Sequence, residues 1–176
     1  MKILAISGSL RSNSANTCVL QAAKILAPDN VDILLYSELA QLPHFNPDLD
    51  CNPLPVTVIS LRKQIQNSDG IIISSPEYAH GVPGSLKNAL DWLVSSIEFP
   101  GKPVVLINTN PRATIAQKSL QEILLTMSAK IVDANNPNLA IAGRGLNVQK
   151  IVTDSELSAA LIKTISKFVR TILVSH

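Results

Sequence analysis

A loop of small polar residues near the start of the chain has the composition of a phosphate-binding site. Residues 7–16 read Ser-Gly-Ser-Leu-Arg-Ser-Asn-Ser-Ala-Asn, directly after an apolar run at residues 3–6 and before a helical pattern. Small side chains let the backbone approach an anion, hydroxyl and N–H groups donate hydrogen bonds to it, and a helix N-terminus adds about half a positive charge. The segment predicts a site for a terminal phosphate. The alternative is a serine-rich turn that only caps the helix, with Arg11 in solvent.

This loop matches neither of two common phosphate motifs. Gly8 is its only glycine, whereas a dinucleotide fingerprint needs G-x-G-x-x-G and a P-loop needs G-x-x-x-x-G-K-[ST]. Its candidate donors are Ser7, Ser9, Arg11, Ser12, Ser14 and Asn16.

A second candidate segment follows the third apolar run of the chain. Residues 74–92 read Ser-Ser-Pro-Glu-Tyr-Ala-His-Gly-Val-Pro-Gly-Ser-Leu-Lys-Asn-Ala-Leu-Asp-Trp. Its prolines and glycines predict a turn whose backbone N–H groups can point into a crevice, where Tyr78 offers a flat amphipathic face. The simpler interpretation is a turn before a helix, with Trp92 in the core and Lys87 in solvent.

The bulk properties favour a single domain covering residues 1–176. A chain of this length can bury about 70% of its unfolded surface in one core. The net charge of +2 is too small to argue for nucleic acid, and the chain has no run of Lys or Arg that would bind a nucleic-acid backbone or an anionic membrane, so we expect neither as a partner.

Other features predict a cytoplasmic protein without a metal ion. Cys18 and Cys51 match no metal or redox spacing, so we expect reduced thiols, and the three histidines form no ligand set. The first apolar run is shorter than the core of a signal peptide, and no apolar stretch approaches the roughly 20 residues of a membrane helix.

Apolar runs alternate with helical patterns along the chain. We predict strands at residues 2–7, 31–36, 70–74, 103–109 and 130–133. Apolar positions at helical spacing predict helices over residues 15–26, 58–65, 86–97, 116–127 and 157–172. Pro55 stands near the start of the second helix, and Thr153-x-x-Glu156 reads as a capping box for the last one.

These β-α units predict an α/β fold with a parallel sheet and helices on both faces. Of the two common doubly wound orders, the flavodoxin-like order 2-1-3-4-5 fits five strands best. A ligand then lies at the carboxyl ends of strands 1 and 3, which the two polar segments follow. The long irregular stretch at residues 37–55 is expected to be functional.

Together the two segments closely resemble those of the NADPH-dependent FMN reductase family, a group of flavodoxin-like flavin, quinone, azo-dye and chromate reductases. The likeness extends from the first strand to the fourth, and residues 42–49 also look like the family's segment after strand 2. It is carried by Gly8-Ser9-Leu10-Arg11, Ser14, Asn16, Pro76-Glu77-Tyr78, Pro83-Gly84, Leu86-Lys87-Asn88-Ala89 and Asp91-Trp92.

The resemblance implies a role for each site residue. The phosphate of FMN is implied to bind at Ser9, Arg11, Ser14, Ala15 and Asn16. The isoalloxazine ring is implied to contact the backbone and rings of Pro76, Glu77, Tyr78, His80 and Gly81. Many members carry Asn where this chain has His80.

It also implies an oxidoreductase in which the flavin carries the chemistry, so no catalytic side chain is expected. By the same resemblance, hydride is expected to pass from NADPH or NADH to FMN, and electrons then to a flavin, quinone, azo compound or chromate in ping-pong order. A homodimer or homotetramer is implied as well.

The chain departs from the family after strand 4. Many members carry a Gly-Gly pair there, whereas residues 108–114 read Asn-Thr-Asn-Pro-Arg-Ala-Thr. Only glycine adopts positive φ at low cost, so close backbone approach to a flavin is harder here. This motivates an alternative function, a flavin-binding redox sensor or partner protein with little turnover. Arg112 either contacts an anion, such as a phosphate of the nicotinamide nucleotide, or is solvated.

Overall fold

The computed structural model describes residues 1–132 and 139–174 and contains a five-stranded parallel sheet. The order is β2-β1-β3-β4-β5, which confirms the predicted flavodoxin-like fold. Ser7 pairs with Ser74 in register, so the loops after β1 and β3 begin side by side. The strands are β1 (Lys2–Ser7), β2 (Asp32–Leu35), β3 (Gly70–Ser74), β4 (Pro103–Leu106) and β5 (Lys130–Ile131).

Helices cover both faces of this sheet. On one face lie α1, α5 and α6, and on the other lie α2, α3 and α4. Their bounds are α1 (Ala15–Ile25), α2 (Val56–Gln66), α3 (Gly84–Asp91), α4 (Ile115–Thr126), α5 (Val148–Thr153) and α6 (Ser155–Val174).

Strand β3 shows how the two cores are divided. Ile72 packs into the core under α1 and α6, whereas Ile71 and Ile73 pack into the core under α2, α3 and α4. All three side chains are buried. Because successive side chains point to opposite faces, a strand covered on both sides must be apolar throughout.

The prediction that the third helix continues to Ile97 is wrong. After Asp91 the backbone tightens, since Leu93 N–H donates to the Leu90 carbonyl at 3.0 Å and Val94 N–H donates to the Asp91 carbonyl at 3.2 Å. These are bonds to the third preceding residue rather than the fourth. The apolar spacing continues into a segment where Ile97 is 89% exposed.

The prediction of a capping box at Thr153 is also wrong. Thr153 ends the short helix α5, which the pattern did not reveal, and its hydroxyl donates to the Gln149 carbonyl at 2.9 Å. Asp154 caps the N-terminus of α6 instead, because its Oδ1 accepts a hydrogen bond from Leu157 N at 3.0 Å. A six-residue helix is too short to show a period.

Three strands are shorter than predicted: the two edge strands, β2 and β5, and the internal strand β4. The second strand lacks its two predicted end residues, the fourth ends at Leu106, and the fifth ends at Ile131. Asp133, the predicted end of the fifth strand, lies outside the described residues. No helix among the described residues combines the length and the apolar character needed to cross a bilayer.

Candidate functional site

The loops that follow β1 and β3 form an open cleft at the carboxyl end of the sheet. Its volume is about 400 Å³. Most of the predicted site residues line it: Ser9, Arg11, Ser14, Ala15, Asn16, Pro76 and Tyr78. It is also lined by Asn13, Ile141, Ala142, Gly143, Gly145 and Leu146.

Ser14 begins helix α1 at the edge of this cleft. Its backbone is extended, and its Oγ accepts a hydrogen bond from Thr17 N at 3.0 Å, as an N-cap residue does. Ser7 Oγ, at the end of β1, lies 3.0 Å from Thr17 Oγ1 and fixes the loop to the strand. Ser14 therefore both caps α1 and lines the cleft.

Several hydrogen-bond donors of the loop after β1 have no acceptor within the described part of the protein. Within the part of the chain that the structure describes, no acceptor pairs with the backbone N–H of Ser12, Asn13, Ala15 or Asn16, or with the guanidinium of Arg11. No acidic residue stands in the first turn of α1. This N-terminus and the arginine make the end of the cleft positive, which favours an anion there.

Asn16 is buried beneath the loop and ties it to neighbouring strands. Its Oδ1 accepts hydrogen bonds from Ser74 Oγ at 2.9 Å and from Thr109 Oγ1 at 3.1 Å. The side-chain oxygen is thus engaged in the scaffold. Its contribution to an anion site comes from N–H donors.

Across the cleft, Tyr78 and Gly81 close a tight turn. They exchange backbone hydrogen bonds of 3.1 and 2.9 Å as an antiparallel bridge. The two residues between them have positive φ, +48° at Ala79 and +61° at His80, which is the pattern of a type I′ turn. The turn holds Tyr78 at the cleft with 54% of its surface exposed.

The Glu77 side chain joins this turn to helix α4. Its Oε2 accepts a hydrogen bond from Ala116 N at 2.9 Å, and its Oε1 lies 3.0 Å from His80 Nδ1. The bond from Ala116 lowers the pKa of Glu77, and the His80 contact acts in the same direction. Thr114, the residue before α4, makes no side-chain capping bond, so Glu77 caps this helix from a distant loop.

Three of the predicted residues do not line the cleft. They are Glu77, His80 and Gly81. The imidazole of His80 is 76% exposed, and the Glu77 carboxylate is directed to α4. These residues shape the turn that presents Pro76 and Tyr78.

Asparagine side chains shape the loop after β4, where the family's glycines are missing. Asn108 Oδ1 accepts from Asn110 N at 3.0 Å, and Asn110 Oδ1 accepts from Arg112 N at 3.1 Å. No residue of this loop has positive φ. The loop therefore reaches a defined shape by Asx turns, without glycine.

Residues 141–146 form a wall of the cleft that sequence reasoning missed. Ile141 N and Ala142 N both donate to the Thr109 carbonyl, at 3.0 and 2.9 Å, which holds the segment over the end of β4. Gly143 and Gly145 adopt φ of +80° and +61°. The Gly-x-Gly spacing could have indicated a turn here. Nothing in the local sequence indicates that this turn lies next to the loop after β1.

Part of the segment at residues 74–92 holds the long loop at residues 37–55 and does not line the cleft. Asn88 Nδ2 and Trp92 Nε1 both donate to the Pro43 carbonyl, at 2.9 and 2.8 Å. Phe45 N donates to Asn88 Oδ1 at 2.7 Å, and the Phe45 ring packs edge-on against Trp92 at 5.1 Å. Trp92 is fully buried, as the core interpretation predicted.

Known proteins similar to this chain include flavin and quinone reductases. Residues 1–143 match the family model described as NADPH-dependent FMN reductase. The chain is 34% identical over 140 residues to a quinone reductase of Escherichia coli strain K12, covering 76% of this chain and 74% of that protein. It is 38% identical over 112 residues to an NAD(P)H-dependent FMN reductase of Pseudomonas aeruginosa, covering 62% and 60%.

A solved structure shows the same architecture over nearly the whole chain. FerB, a flavoenzyme NAD(P)H:(acceptor) oxidoreductase from Paracoccus denitrificans, aligns with a TM-score of 0.85 at 28% identity, covering 97% of this chain and 96% of that one. The fold is that of the flavodoxin-like flavoenzymes. The chain belongs to the NADPH-dependent FMN reductase family. This places it among oxidoreductases that use FMN with NAD(P)H.

Proposed function

We propose that this protein reduces a quinone or a related acceptor at the expense of NAD(P)H, with FMN bound in the cleft. The observation that carries the proposal is the cluster of free N–H donors and Arg11 at one end of the cleft, with Tyr78 exposed at the other. The similarity to quinone and FMN reductases supports the choice of acceptor and cofactor.

The donor set fits a phosphomonoester. Helix α1 supplies the N–H groups of Ala15 and Asn16, the loop adds Ser9 and Ser14 hydroxyls, and Arg11 supplies positive charge. Of the residues that the structure describes, no carboxylate side chain lines the cleft to repel the anion. A terminal phosphate is therefore the natural ligand at this end.

Each part of the cleft has a distinct task in this proposal. When bound, FMN supplies hydride and electron transfer between NAD(P)H and the acceptor. Pro76 and Tyr78 hold the ring side of the cofactor, and the turn through Glu77, His80 and Gly81 fixes their position. Reductant and acceptor enter one open cleft in turn, which requires ping-pong kinetics.

The phosphate assignment can be tested with two flavins that differ only in that group. We expect Arg11→Ala to weaken FMN binding by about 1.5–3 kcal/mol, which is roughly 10- to 150-fold, because a charge-assisted hydrogen bond is lost. Riboflavin, which lacks the phosphate, should bind the variant as it binds the native protein. Quenching of flavin fluorescence during titration gives both dissociation constants. Equal weakening of the two ligands would contradict the assignment.

Turnover separates the enzyme from the redox-sensor alternative. The FMN-loaded protein should oxidise NADPH or NADH in proportion to added quinone, with parallel double-reciprocal lines. Stoichiometric FMN binding without acceptor-dependent oxidation would favour a sensor, and failure to bind FMN would remove both functions.

We also propose a homo-oligomer. Exposed apolar side chains lie on α2 and on the segment after α3, which share one face of the sheet: Val56, Ile59, Val94 and Ile97. Burial between two copies would remove this surface from water. Light scattering of the FMN-loaded protein measures the mass, and a monomer would contradict the proposal. The cytoplasmic location stays a prediction from the sequence.

A further inference from the structure

A second groove lies beside the cleft, between the loop after β4 and the segment that leads to α5. Its volume is about 550 Å³. The groove and the cleft share two lining residues, Ala142 and Gly143, so the two spaces adjoin along this wall. The groove is lined by Asn110, Pro111, Arg112, Ala140, Ala142, Gly143 and Arg144.

Among the described residues, the lining contains two arginines and no acidic residue. Arg112 has its backbone N–H held by Asn110 Oδ1 at 3.1 Å, whereas its guanidinium meets no acceptor in residues 1–132 or 139–174. Arg144 donates to the Ala140 carbonyl at 3.2 Å, and its side chain is 50% exposed. Arg144 Nη2 also forms a long ion pair with Asp154 Oδ2 at 3.9 Å.

Gly143 makes the shared wall accessible to a ligand. A Cβ at this position would meet no atom within 4 Å, so the backbone here borders open space. Its φ of +80° is a conformation that other residues adopt only at a cost. At Gly143 the shared wall therefore offers backbone with no side chain, in the same groove as the two arginines.

We propose that this groove binds the 2′-phosphate of NADPH and makes the protein selective for NADPH over NADH. The inference rests on the proposed function, because it assumes that the nicotinamide end enters the adjoining cleft. A phosphomonoester carries up to two negative charges, and planar guanidinium groups bind such oxygens with paired hydrogen bonds. Arg112 has no acidic partner among the described residues, and Arg144 has only the 3.9 Å ion pair to Asp154, so both guanidinium groups can donate to a phosphate.

The test removes Arg112, whose guanidinium makes no hydrogen bond or ion pair within the described structure. We expect Arg112→Ala to raise the KM for NADPH about tenfold while the KM for NADH and the FMN content stay unchanged. Calorimetry supplies a readout that is independent of turnover. Affinity for 2′,5′-ADP should fall about tenfold, and affinity for 5′-AMP, which lacks the 2′-phosphate, should not change.

Arg170→Ala is the matched control, because it removes an exposed arginine from α6, outside both the cleft and the groove. It should leave both nucleotides unaffected, which excludes a general effect of net charge. Arg144→Lys keeps the charge but not the planar fork, and we expect it to lower affinity for 2′,5′-ADP severalfold.

An equal change in KM for NADH and NADPH in Arg112→Ala would overturn the inference, as would unchanged binding of 2′,5′-ADP. A protein that binds 2′,5′-ADP through Arg112 but takes up no FMN would overturn the proposed function instead. The two failures are therefore distinguishable.

Discussion

Replacing Asn88 with alanine tests how the long loop at residues 37–55 is held. Asn88 makes two hydrogen bonds across the chain, accepting from Phe45 N at 2.7 Å and donating to the Pro43 carbonyl at 2.9 Å. The Pro43 carbonyl keeps a second donor, Trp92 Nε1 at 2.8 Å, whereas the Phe45 N–H loses its partner.

The cost follows from this asymmetry. An unpaired, partly buried N–H costs about 1–3 kcal/mol, and the shared carbonyl adds about 0.5 kcal/mol. Because water can reach the partly exposed loop, we expect a total near 2 kcal/mol. For a chain of this size that lowers Tm by about 4–8 °C.

Urea and thermal unfolding, followed by circular dichroism, measure the effect of Asn88→Ala. Limited proteolysis should also cut residues 37–55 faster than in the native protein. Asn67→Ala is a suitable control, because this exposed asparagine at the end of α2 makes no side-chain hydrogen bond within the described ranges. It should change stability by less than about 0.5 kcal/mol. If Asn88→Ala behaves like Asn67→Ala, the loop is not held as argued.

Two further variants test the frame of the cleft. Gly8→Ala puts a Cβ 2.9 Å from Ser75 Cβ and 3.1 Å from Ser75 Cα, so urea unfolding should show a loss of about 1–3 kcal/mol, and native stability would contradict this close approach. Glu77→Gln tests the cap on α4. The hydrogen bond from Ala116 N lowers the pKa of Glu77 in the folded protein. The ionised carboxylate therefore stabilises the fold above the ordinary glutamate pKa of about 4.3, and this contribution is lost as the pH falls through the lowered pKa. The Tm difference between wild type and Glu77→Gln should shrink from pH 6 to pH 3, and a constant difference would refute the assignment.

Local pattern was sufficient for most of the scaffold. The apolar run at residues 71–73 suits a strand buried on both faces, and the spacing of Leu157, Leu161 and Ile165 predicts a helix with one apolar face; both are observed. The helix start in the loop at residues 7–16 could also be predicted, because Ser14 caps the helix that begins at the next residue, Ala15. These features depend on neighbours in the chain, so the sequence displays them directly.

The errors arose where local pattern continues beyond the element. Ile97 has helical spacing, yet the helix ends at Asp91 because the backbone tightens there. Thr153 and Glu156 match a capping box, but Asp154 takes the N–H groups first. In both cases side-chain type alone does not decide which backbone bond forms.

The sequence by itself determined the α/β fold class and the family to which the chain belongs. It also indicated the polar loop with Arg11 that we predict to bind a phosphate. Only the tertiary structure decided that Glu77 caps α4 at Ala116, that Asn88 holds the loop at Pro43, and that residues 141–146 close the cleft beside Arg112. These contacts join residues far apart in the chain. They exist because parallel crossovers bring the carboxyl ends of the strands to one edge, and no local signal encodes that juxtaposition.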